Sequence, residues 1–460
     1  KDPEERYPSC SEWAAELEEA LPEEARPRTR SRLSVPQLPV GQETTEQIPS
    51  QSAAPPRRRR LGVLSVLLLM LLAAGVPAGI FAYKQVKGGG GGAAVVTPTA
   101  RATEPSAAAA SFALGAPPPV ALVIGRDTNC NLPIQHQDFR EPIQLTCSGL
   151  PDGVTMDPVT VKPGDPETVS LHFTAEKKAS PSKKSVVVRA EAGKAHTEST
   201  LLDLTVLFLP ANGEVADPEV VPDINGRPYY KRIRLLVDGM PFEFVVIPQE
   251  RGSDPETFYM MVDKVSVAQF RKFAARPTAR VTSDWDRPNV GDDCPALGMT
   301  VGEAYRFAHD WLGGELPNVE QWAKAAGLHD HKAGQEGPYQ GHWTGKGSLH
   351  IAVGKLDAPL PLPSTTDDVG PYGCRDMAGD GNEWTSTATR QTHPVAVTDL
   401  VKGDLVQLRG WSYHMPTPLS YETLRGDGRF ITNPAWEYGS FVKPDYSFRV
   451  VLPIEPGQAG

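Results

Sequence analysis

The sequence LGVLSVLLLMLLAAGVPAGIFAY, at residues 61–83, contains no charged side chain. A helix rises about 1.5 Å per residue, so a helix of this length reaches roughly 34 Å, enough for a hydrocarbon core of about 30 Å. Because lipid offers no hydrogen-bond partners, the stretch is predicted to be helical, with a kink at Pro77. A buried core helix of this length would show a polar face. We therefore predict a single membrane span.

The charges on either side of this span predict its orientation. Four arginines at 57–60 precede it, whereas Lys84 and Lys87 are the nearest positive charges after it. Because positively charged flanks stay in the cytoplasm, residues before 61 are predicted to lie inside and residues after 83 outside. The sequence thus predicts a single-pass protein of the cell membrane with a cytoplasmic N-terminus and extracytoplasmic C-terminal domains.

Composition and charge indicate which binding partners and which oxidation states of the cysteines to expect. The net charge of −10 and the pI near 5.6 argue against a nucleic-acid partner. Cys10 lies on the predicted cytoplasmic side. Four further cysteines lie on the oxidising side and could pair, with the pairing left open: Cys130, Cys147, Cys294 and Cys374. The chain begins with Lys1 rather than Met, so we expect a piece of a longer protein.

Within residues 1–21, an amphipathic helix is predicted to begin at a capping box, Ser9 with Glu12. The run KDPEERYPSCSEWAAELEEAL resembles the last helix of a bacterial Ser/Thr protein kinase domain, in which Arg6 would pair with an upstream Glu. The alternative is an ordinary amphipathic helix in a tail. The sequence has no glycine-rich phosphate loop, H-R-D or D-F-G motif, so it holds no machinery for phosphoryl transfer.

Two stretches are predicted to be linkers. Residues 22–60 are rich in Pro, Arg, Ser and Glu and are predicted to be disordered. Residues 84–119 begin near a run of five glycines and are predicted to be a flexible tether. A tether of roughly 30 residues favours ligand-driven clustering over rigid transmission, so self-association is expected.

Residues 120–210 are predicted to form an all-β, immunoglobulin-like sandwich. About six β-rich runs alternate with turn sequences such as PDG at 151–153 and KPGD at 162–165. The Cys…Trp…Cys pattern of antibody domains is absent, although Cys130 and Cys147 could join neighbouring strands. We expect a spacer or adhesion module.

Residues 231–455 are predicted to form an α+β domain with three short helices. Capping residues mark the helix starts at Ser266, Thr300 and Asn318, while glycines at 313–314 and Gly327 end two of them. The remainder is rich in Trp, Gly and Asp, which is typical of short strands and long loops.

Five motifs of this domain resemble those of one known family. In chain order they are FYMMVDKVSVAQFRKFA, LGGELPNVEQWAKAAGL, YGCRDMAGDGNEWTST, LRGWSYH and YSFRVVL. They resemble the formylglycine-generating enzyme, or sulfatase-modifying factor, whose domain is a variant of the C-type-lectin-like fold. The resemblance implies that the C-terminal domain is an α+β C-type-lectin-like domain. With the predicted transmembrane helix and all-β sandwich, the chain is predicted to be multidomain.

The resemblance does not extend to the family's copper chemistry. That family binds copper through two cysteines, since soft Cu(I) prefers thiolates, and by offset from Arg409 the matching positions are Met415 and Ser420. Copper is therefore not expected, and no catalytic residue is assigned. Four histidines lie close together in the sequence: His329, His331, His342 and His350. Histidines in polar loops are usually solvated, and the alternative is that they bind a metal ion.

A structural Ca²⁺ ion is also implied by the resemblance. The family holds it with hard oxygen ligands in the D-M-A-G-N loop. The matching positions here are Asp376, Gly379, Gly381 and Glu383, and the resemblance implies that Asp376 and Glu383 supply the charge. The chain departs from the family at Asp380 and Asn382, so the alternative is a hydrogen-bonded loop without metal.

Aromatic residues near the C-terminus suggest a binding surface. Five of them fall in the segment that lines the family's substrate groove and are expected to be exposed: Trp411, Tyr413, Tyr421, Trp436 and Tyr438. The first four are predicted to bind a peptide or glycan ligand of the envelope. The alternative is that they pack in the core.

Together these features predict a receptor-like membrane protein. Its outer domain would be a non-catalytic sensor for a cytoplasmic Ser/Thr kinase. Two alternatives stay open: a metal-dependent oxidoreductase acting on an envelope substrate, and a purely structural envelope protein. Bound copper or iron would indicate the first, and absence of a saturable ligand the second.

Overall fold

The computed structural model describes residues 111–137, 139–193, 196–363, 366–401, 403–432 and 445–454. Within these ranges no helix is both long and apolar enough to cross a membrane. The predicted span at 61–83, the helix at 1–21 and the linker at 22–60 lie outside the described residues. These three predictions are therefore not tested by the structure.

Residues 111–207 form two sheets. The first has the order β1 (Ser111–Leu114), β3 (Asp127–Gln137), β7 (Thr168–Ala175) and β5 (Val154–Met156). The second has the order β2 (Val120–Val123), β9 (His196–Leu207), β8 (Ser182–Ala192), β4 (Ile143–Ser148) and β6 (Val159–Val161). Only β2 and β9 pair in parallel among these strands. Strand β1 falls inside the predicted tether at 84–119, so the tether prediction is wrong for these four residues.

Alternating side chains explain why these strands form two layers around one core. In β8, Val186, Val188 and Ala190 are fully buried and the residues between them are exposed. Successive side chains of a strand point to opposite faces, so one face of β8 is committed to the core. Cys130 lies on β3 and Cys147 on β4, in different sheets, and both are free thiols.

Residues 213–453 contain two further five-stranded sheets. One has the order β10 (Gly213–Pro222), β11 (Pro228–Val237), β12 (Met240–Ile247), β13 (Phe258–Met261) and β19 (Val451–Pro453). The other has the order β15 (His393–Val395), β14 (Gly381–Arg390), β16 (Leu405–Trp411) and β17 (Phe430–Thr432), with β18 (Tyr446–Ser447) parallel to β14. Residues 211–230, between the two predicted domains, contain β10 and the start of β11.

Short helices lie between these strands. They are α1 (Val267–Ala274), α2 (Val301–Arg306) with a π-helical turn at Phe307–Trp311, α3 (Val319–Ala325), a 3₁₀ turn at Val397–Asp399 and α4 (Tyr421–Arg425). The three predicted helix starts are confirmed, because Ser266, Thr300 and Asn318 each form a capping box. A capping box satisfies amide groups that the first turn of a helix leaves unpaired. Gly327 ends α3 with a φ of +83°, which favours glycine.

One hydrophobic core continues from the N-terminal sheets into the C-terminal domain. At the junction, the ring of Phe208 stacks on Tyr259 with centroids 6.2 Å apart. The hydroxyl of Tyr259 donates to the carbonyl of Tyr230 at 2.8 Å. A second apolar cluster, which includes Trp322, Tyr339 and Tyr421, packs beneath the long loops.

Candidate functional site

A buried ion cluster lies at the centre of the C-terminal domain. Glu383, the third residue of β14, is paired with Lys264 before α1 and with Arg449 before β19. The side chains of all three are fully buried. Both Arg449 Nε and Nη2 donate to the carboxylate, at 2.7 and 2.8 Å, and Trp322 Nε1 donates to it at 3.0 Å. The cluster therefore joins four segments that are far apart in sequence.

The charges of this cluster keep Glu383 ionised. Burial by itself would raise the pKa of Glu383, but the positive charges of Arg449 and Lys264 outweigh burial and lower that pKa to about 2. Arg449 also donates to the carbonyls of Val262 and Arg375, at 3.0 Å each. A buried carboxylate needs such compensation, because leaving it unpaired costs several kcal/mol.

The four residues predicted to hold Ca²⁺ lie in one loop and the strand that follows it. Lys264 Nζ donates both to the backbone carbonyl of Asp376 and, at 2.7 Å, to the carboxylate of Glu383. Gly379 is packed so closely that an added Cβ would lie 2.6 Å from the carbonyl oxygen of Ala352. Gly381 pairs with β16. An ammonium group thus bridges two of the four predicted ligands, and the predicted Ca²⁺ set does not fit an open metal site.

Two more buried carboxyl groups adjoin this loop. Burial raises the pKa of Asp368, and the charge of Asp376 raises it further. Asp380 is fully buried, and burial followed by the charge of Asp376 raises its pKa well above the ordinary value. Its Oδ1 accepts from the amide of Leu360 at 2.9 Å, while Oδ2 has no hydrogen-bond partner among the described residues. A protonated Asp380 has the neutral, planar shape of the Asn that the family carries there.

The positions that match the copper-binding cysteines have other roles. Ser420 is the N-cap of α4, and its hydroxyl accepts from the amide of Thr423 at 3.1 Å. The carbonyl of Met415 accepts from the amide of Gly354 at 2.6 Å. Neither side chain offers a thiolate, so the chemistry of soft metals has no ligand pair at these positions.

The predicted aromatic residues do not form one exposed surface. Tyr413 and Tyr421 are each only 2% exposed, so the expectation that they are exposed is wrong, and packing in the core describes them. Trp411 is half-buried and lies under the guanidinium of Arg429, 4.6 Å from the ring centroid. The predicted ligand-binding residue Trp436, like Tyr438, lies outside the described residues.

A cavity of about 440 Å³ opens beside α4 and contains one of the predicted residues, Tyr421. His331 stacks on the ring of Tyr421 with centroids 4.2 Å apart. The rest of the wall is polar or aromatic and includes Glu336, Tyr339, Trp343, Ser420, Glu422 and Arg425. We call this space the α4 cavity. Sequence reasoning named only His331, Ser420 and Tyr421 of this wall, because the other residues come from the loop after α3 and from α4 with the segment before it, which carry no motif.

A second, apolar cavity of about 400 Å³ shares a wall with the α4 cavity. Trp343 lines both. Leu349, Ile351, Val353, Leu356 and Leu360 supply most of the apolar lining. A polar space therefore lies beside an apolar one, and the Trp343 side chain lines both.

The histidines predicted to cluster have separate partners. His331 contacts the carbonyl of Leu328 at 3.0 Å, His342 is paired with Glu336, and His350 lies 3.4 Å from Asp367. His329 contributes its carbonyl to Arg251 at 3.1 Å. The described residues show no shared histidine site.

A carboxylate trio elsewhere in the described residues is close enough to hold a metal ion: Glu250, Asp254 and Asp330. Lys324 Nζ lies 2.8 Å from Glu250, 2.8 Å from Asp254 and 2.7 Å from Asp330. The lysine side chain is 2% exposed. An ammonium group therefore already occupies the centre of this trio.

The fold and its centre define a domain of two small sheets and short helices held by a buried Glu–Arg–Lys cluster. Residues 240–452 match the family described as "Sulfatase-modifying factor enzyme 1-like domain". The chain therefore contains a sulfatase-modifying-factor-like domain, as its five motifs predicted.

Similarity to solved structures is weaker. Treponema denticola variable protein 1 is 12% identical with a TM-score of 0.31, over 48% of this chain and 98% of that one. The SrpA adhesin of Streptococcus sanguinis is 10% identical with a TM-score of 0.19, over 29% and 90%. The M1 domain of titin is 9% identical with a TM-score of 0.16, over 21% and 94%. No curated protein matches the chain.

Proposed function

We propose that this chain is the membrane-anchored part of a receptor-like Ser/Thr protein kinase whose sulfatase-modifying-factor-like domain is a non-catalytic sensor. The observation that carries the proposal is the α4 cavity, next to Ser420, where the family has a copper-binding cysteine. A ligand space is kept at this position while the thiolate that would make it catalytic is lost. Binding without oxidation is what such a site supports best.

The chemistry of the α4 cavity favours a peptide or glycan ligand. Its volume of about 440 Å³ lies in the usual range for small-ligand sites. Trp343 offers an apolar face, while Glu336, Glu422 and Arg425 offer charged partners. Amphipathic ligands of this kind pair one flat or apolar face with several hydrogen-bonding groups.

The remaining parts of the proposal rest on sequence. Residues 61–83 would anchor the chain in the cell membrane, and residues 1–21 would be the end of the kinase domain. The immunoglobulin-like sandwich would be a spacer, and the C-terminal domain a variant of the C-type-lectin-like fold. Clustering of neighbouring chains by ligand would carry the signal across the tether.

The test uses the purified full chain with panels of envelope peptides and glycans. We expect saturable binding that weakens about 10-fold or more in Trp343→Ala, because a buried aromatic anchor supplies a large share of binding energy. Phe139→Ala is the matched control, since this partly buried ring follows β3 and packs against the core of the N-terminal sheets.

Two results would contradict the proposal. Equal loss of affinity in both variants would place the ligand elsewhere. Stoichiometric copper or iron in the purified chain, with oxidation of a peptide thiol, would make the domain an enzyme.

A further inference from the structure

We propose that the ammonium group of Lys264 is the resident cation of the loop at 374–383, in the position where the family resemblance implies Ca²⁺. The side chain of Lys264 would then hold this loop in place, and the loop would need no metal ion. The inference goes beyond the sensor function, since it concerns how the domain keeps its centre folded.

The contacts of Lys264 match those that a bridging cation would make. Its Nζ donates to the carbonyl oxygen of Asp376 and to a carboxylate oxygen of Glu383. Both residues belong to the predicted Ca²⁺ set: Glu383 contributes a charged oxygen, as predicted, whereas Asp376 contributes its neutral backbone carbonyl and not the predicted carboxylate. Lys264 thus joins the loop to the strand that follows it, as a metal ion bound by the same two groups would.

The carboxylate of Glu383 has no capacity left for a metal. Its two oxygens accept from Lys264 Nζ, from Nε and Nη2 of Arg449 and from Nε1 of Trp322. An ionised carboxylate offers about four lone-pair positions, so these four donors saturate it. A calcium ion would have to displace a buried donor to coordinate Glu383.

The charges around Glu383 also argue against a metal ion bound to its carboxylate. Lys264 and Arg449 place two positive charges against Glu383, and both side chains are fully buried. Asp368, Asp376 and Asp380 are also buried beside this loop, so the two positive charges oppose a divalent ion at Glu383 itself, where charges interact strongly because water is excluded.

The acidic trio of the same domain repeats the arrangement. Lys324 Nζ lies within 2.8 Å of an oxygen of Glu250, Asp254 and Asp330, which are close enough together to hold a metal. Its ammonium also lies 5.1 Å from the ring centroid of Tyr372. In each of these two clusters of the described residues, a lysine ammonium group lies against the oxygens.

The experiment is thermal unfolding of the full chain in excess CaCl₂ and in EDTA. For the unaltered chain we expect the two Tm values to agree within about 1 °C, because an ion that does not bind cannot shift the folding equilibrium. Lys264→Met keeps most of the side-chain volume and removes the charge. We expect it to lower Tm by about 5–10 °C in either solution.

Lys183→Met is the matched control, because Lys183 is an exposed lysine on β8, and it should leave Tm unchanged. The proposal is overturned if the unaltered chain melts several degrees higher in CaCl₂ than in EDTA. It is overturned equally if Lys264→Met melts like the unaltered chain. Should Lys264→Met fail to fold, the comparison of the two solutions on the unaltered chain still decides.

Discussion

Two buried carboxyl groups of one loop respond to pH in opposite directions. The pKa of Asp380 is raised by burial and by Asp376, so the native state holds its proton more tightly than the unfolded chain does. Its contribution to stability is full below the unfolded pKa of about 4 and is lost as pH rises toward the folded value. The pKa of Glu383 is lowered to about 2, so its contribution is present above the unfolded pKa and is lost as pH falls.

Asp380→Asn isolates the first of these effects. The amide keeps the shape of the protonated acid and cannot ionise, so the variant should not show the part of the stability loss between mildly acidic and alkaline pH that ionisation of Asp380 causes. We expect Tm to exceed that of the unaltered chain by about 2–5 °C at pH 8 and to match it near pH 4. Differential scanning calorimetry across this range measures both.

The control for this prediction is Asp357→Asn, at an exposed aspartate in the loop before β14. It should follow the unaltered chain at every pH. A Tm difference for Asp380→Asn that does not change with pH would show that ionisation of this group is not what the substitution removes.

At the scale of single elements, the end of α3 depends on the absence of a side chain. Gly327 has a φ of +83°, and an added Cβ would clash with Cγ of Pro371 and lie 2.8 Å from its Cδ. Gly327→Ala should therefore cost about 2–4 kcal/mol of unfolding free energy, from backbone strain and overpacking together. It should also disturb the α4 cavity, because the carbonyl of Gly327 faces His331 at 3.3 Å.

Gly334 provides a matched comparison for denaturant unfolding. Its φ is +85°, but an added Cβ would meet nothing within 4 Å. Gly334→Ala should cost only about 1–2 kcal/mol, the backbone part alone. Equal losses in the two variants would mean that contact with Pro371 contributes nothing.

The same scale shows what could be predicted from sequence. Helix starts at Ser266, Thr300 and Asn318 were predictable, because a capping box is complete within four residues. The pairing of Lys264 with Glu383 spans 119 residues and has no local pattern. The one available signal was a charged residue at the end of an apolar run, as in FYMMVDK and YSFRV.

Of the residues that line the α4 cavity, the sequence singled out only His331, Ser420 and Tyr421, each for a reason other than this cavity. Aromatic residues in a Gly- and Asp-rich segment look exposed, yet Tyr413 and Tyr421 fill the core between short strands. Trp343, which lines both cavities, belongs to no family motif. Sequence therefore indicated the family and the helix starts, while the site depended on how long loops pack.

At the scale of the whole molecule, the N-terminal sheets and the sulfatase-modifying-factor-like domain share one core. Phe208, at 6% exposure, follows β9 and stacks on Tyr259 of β13 at a 28° angle between the rings. Two folded parts joined by such an apolar contact unfold in one transition when the free energy of the contact exceeds the difference between their separate free energies of unfolding.

Phe208→Ala should uncouple the two parts. Removing the ring leaves a cavity at the junction and should lower the free energy of unfolding by about 3 kcal/mol. Differential scanning calorimetry of the unaltered chain should show one transition for this region, and the variant two. Leu201→Ala, at a side chain 65% exposed on β9, should keep the single transition. If Phe208→Ala also melts in one transition at a lower Tm, cooperativity is carried by other contacts of the shared core, and the stacked pair contributes stability without linking the two parts.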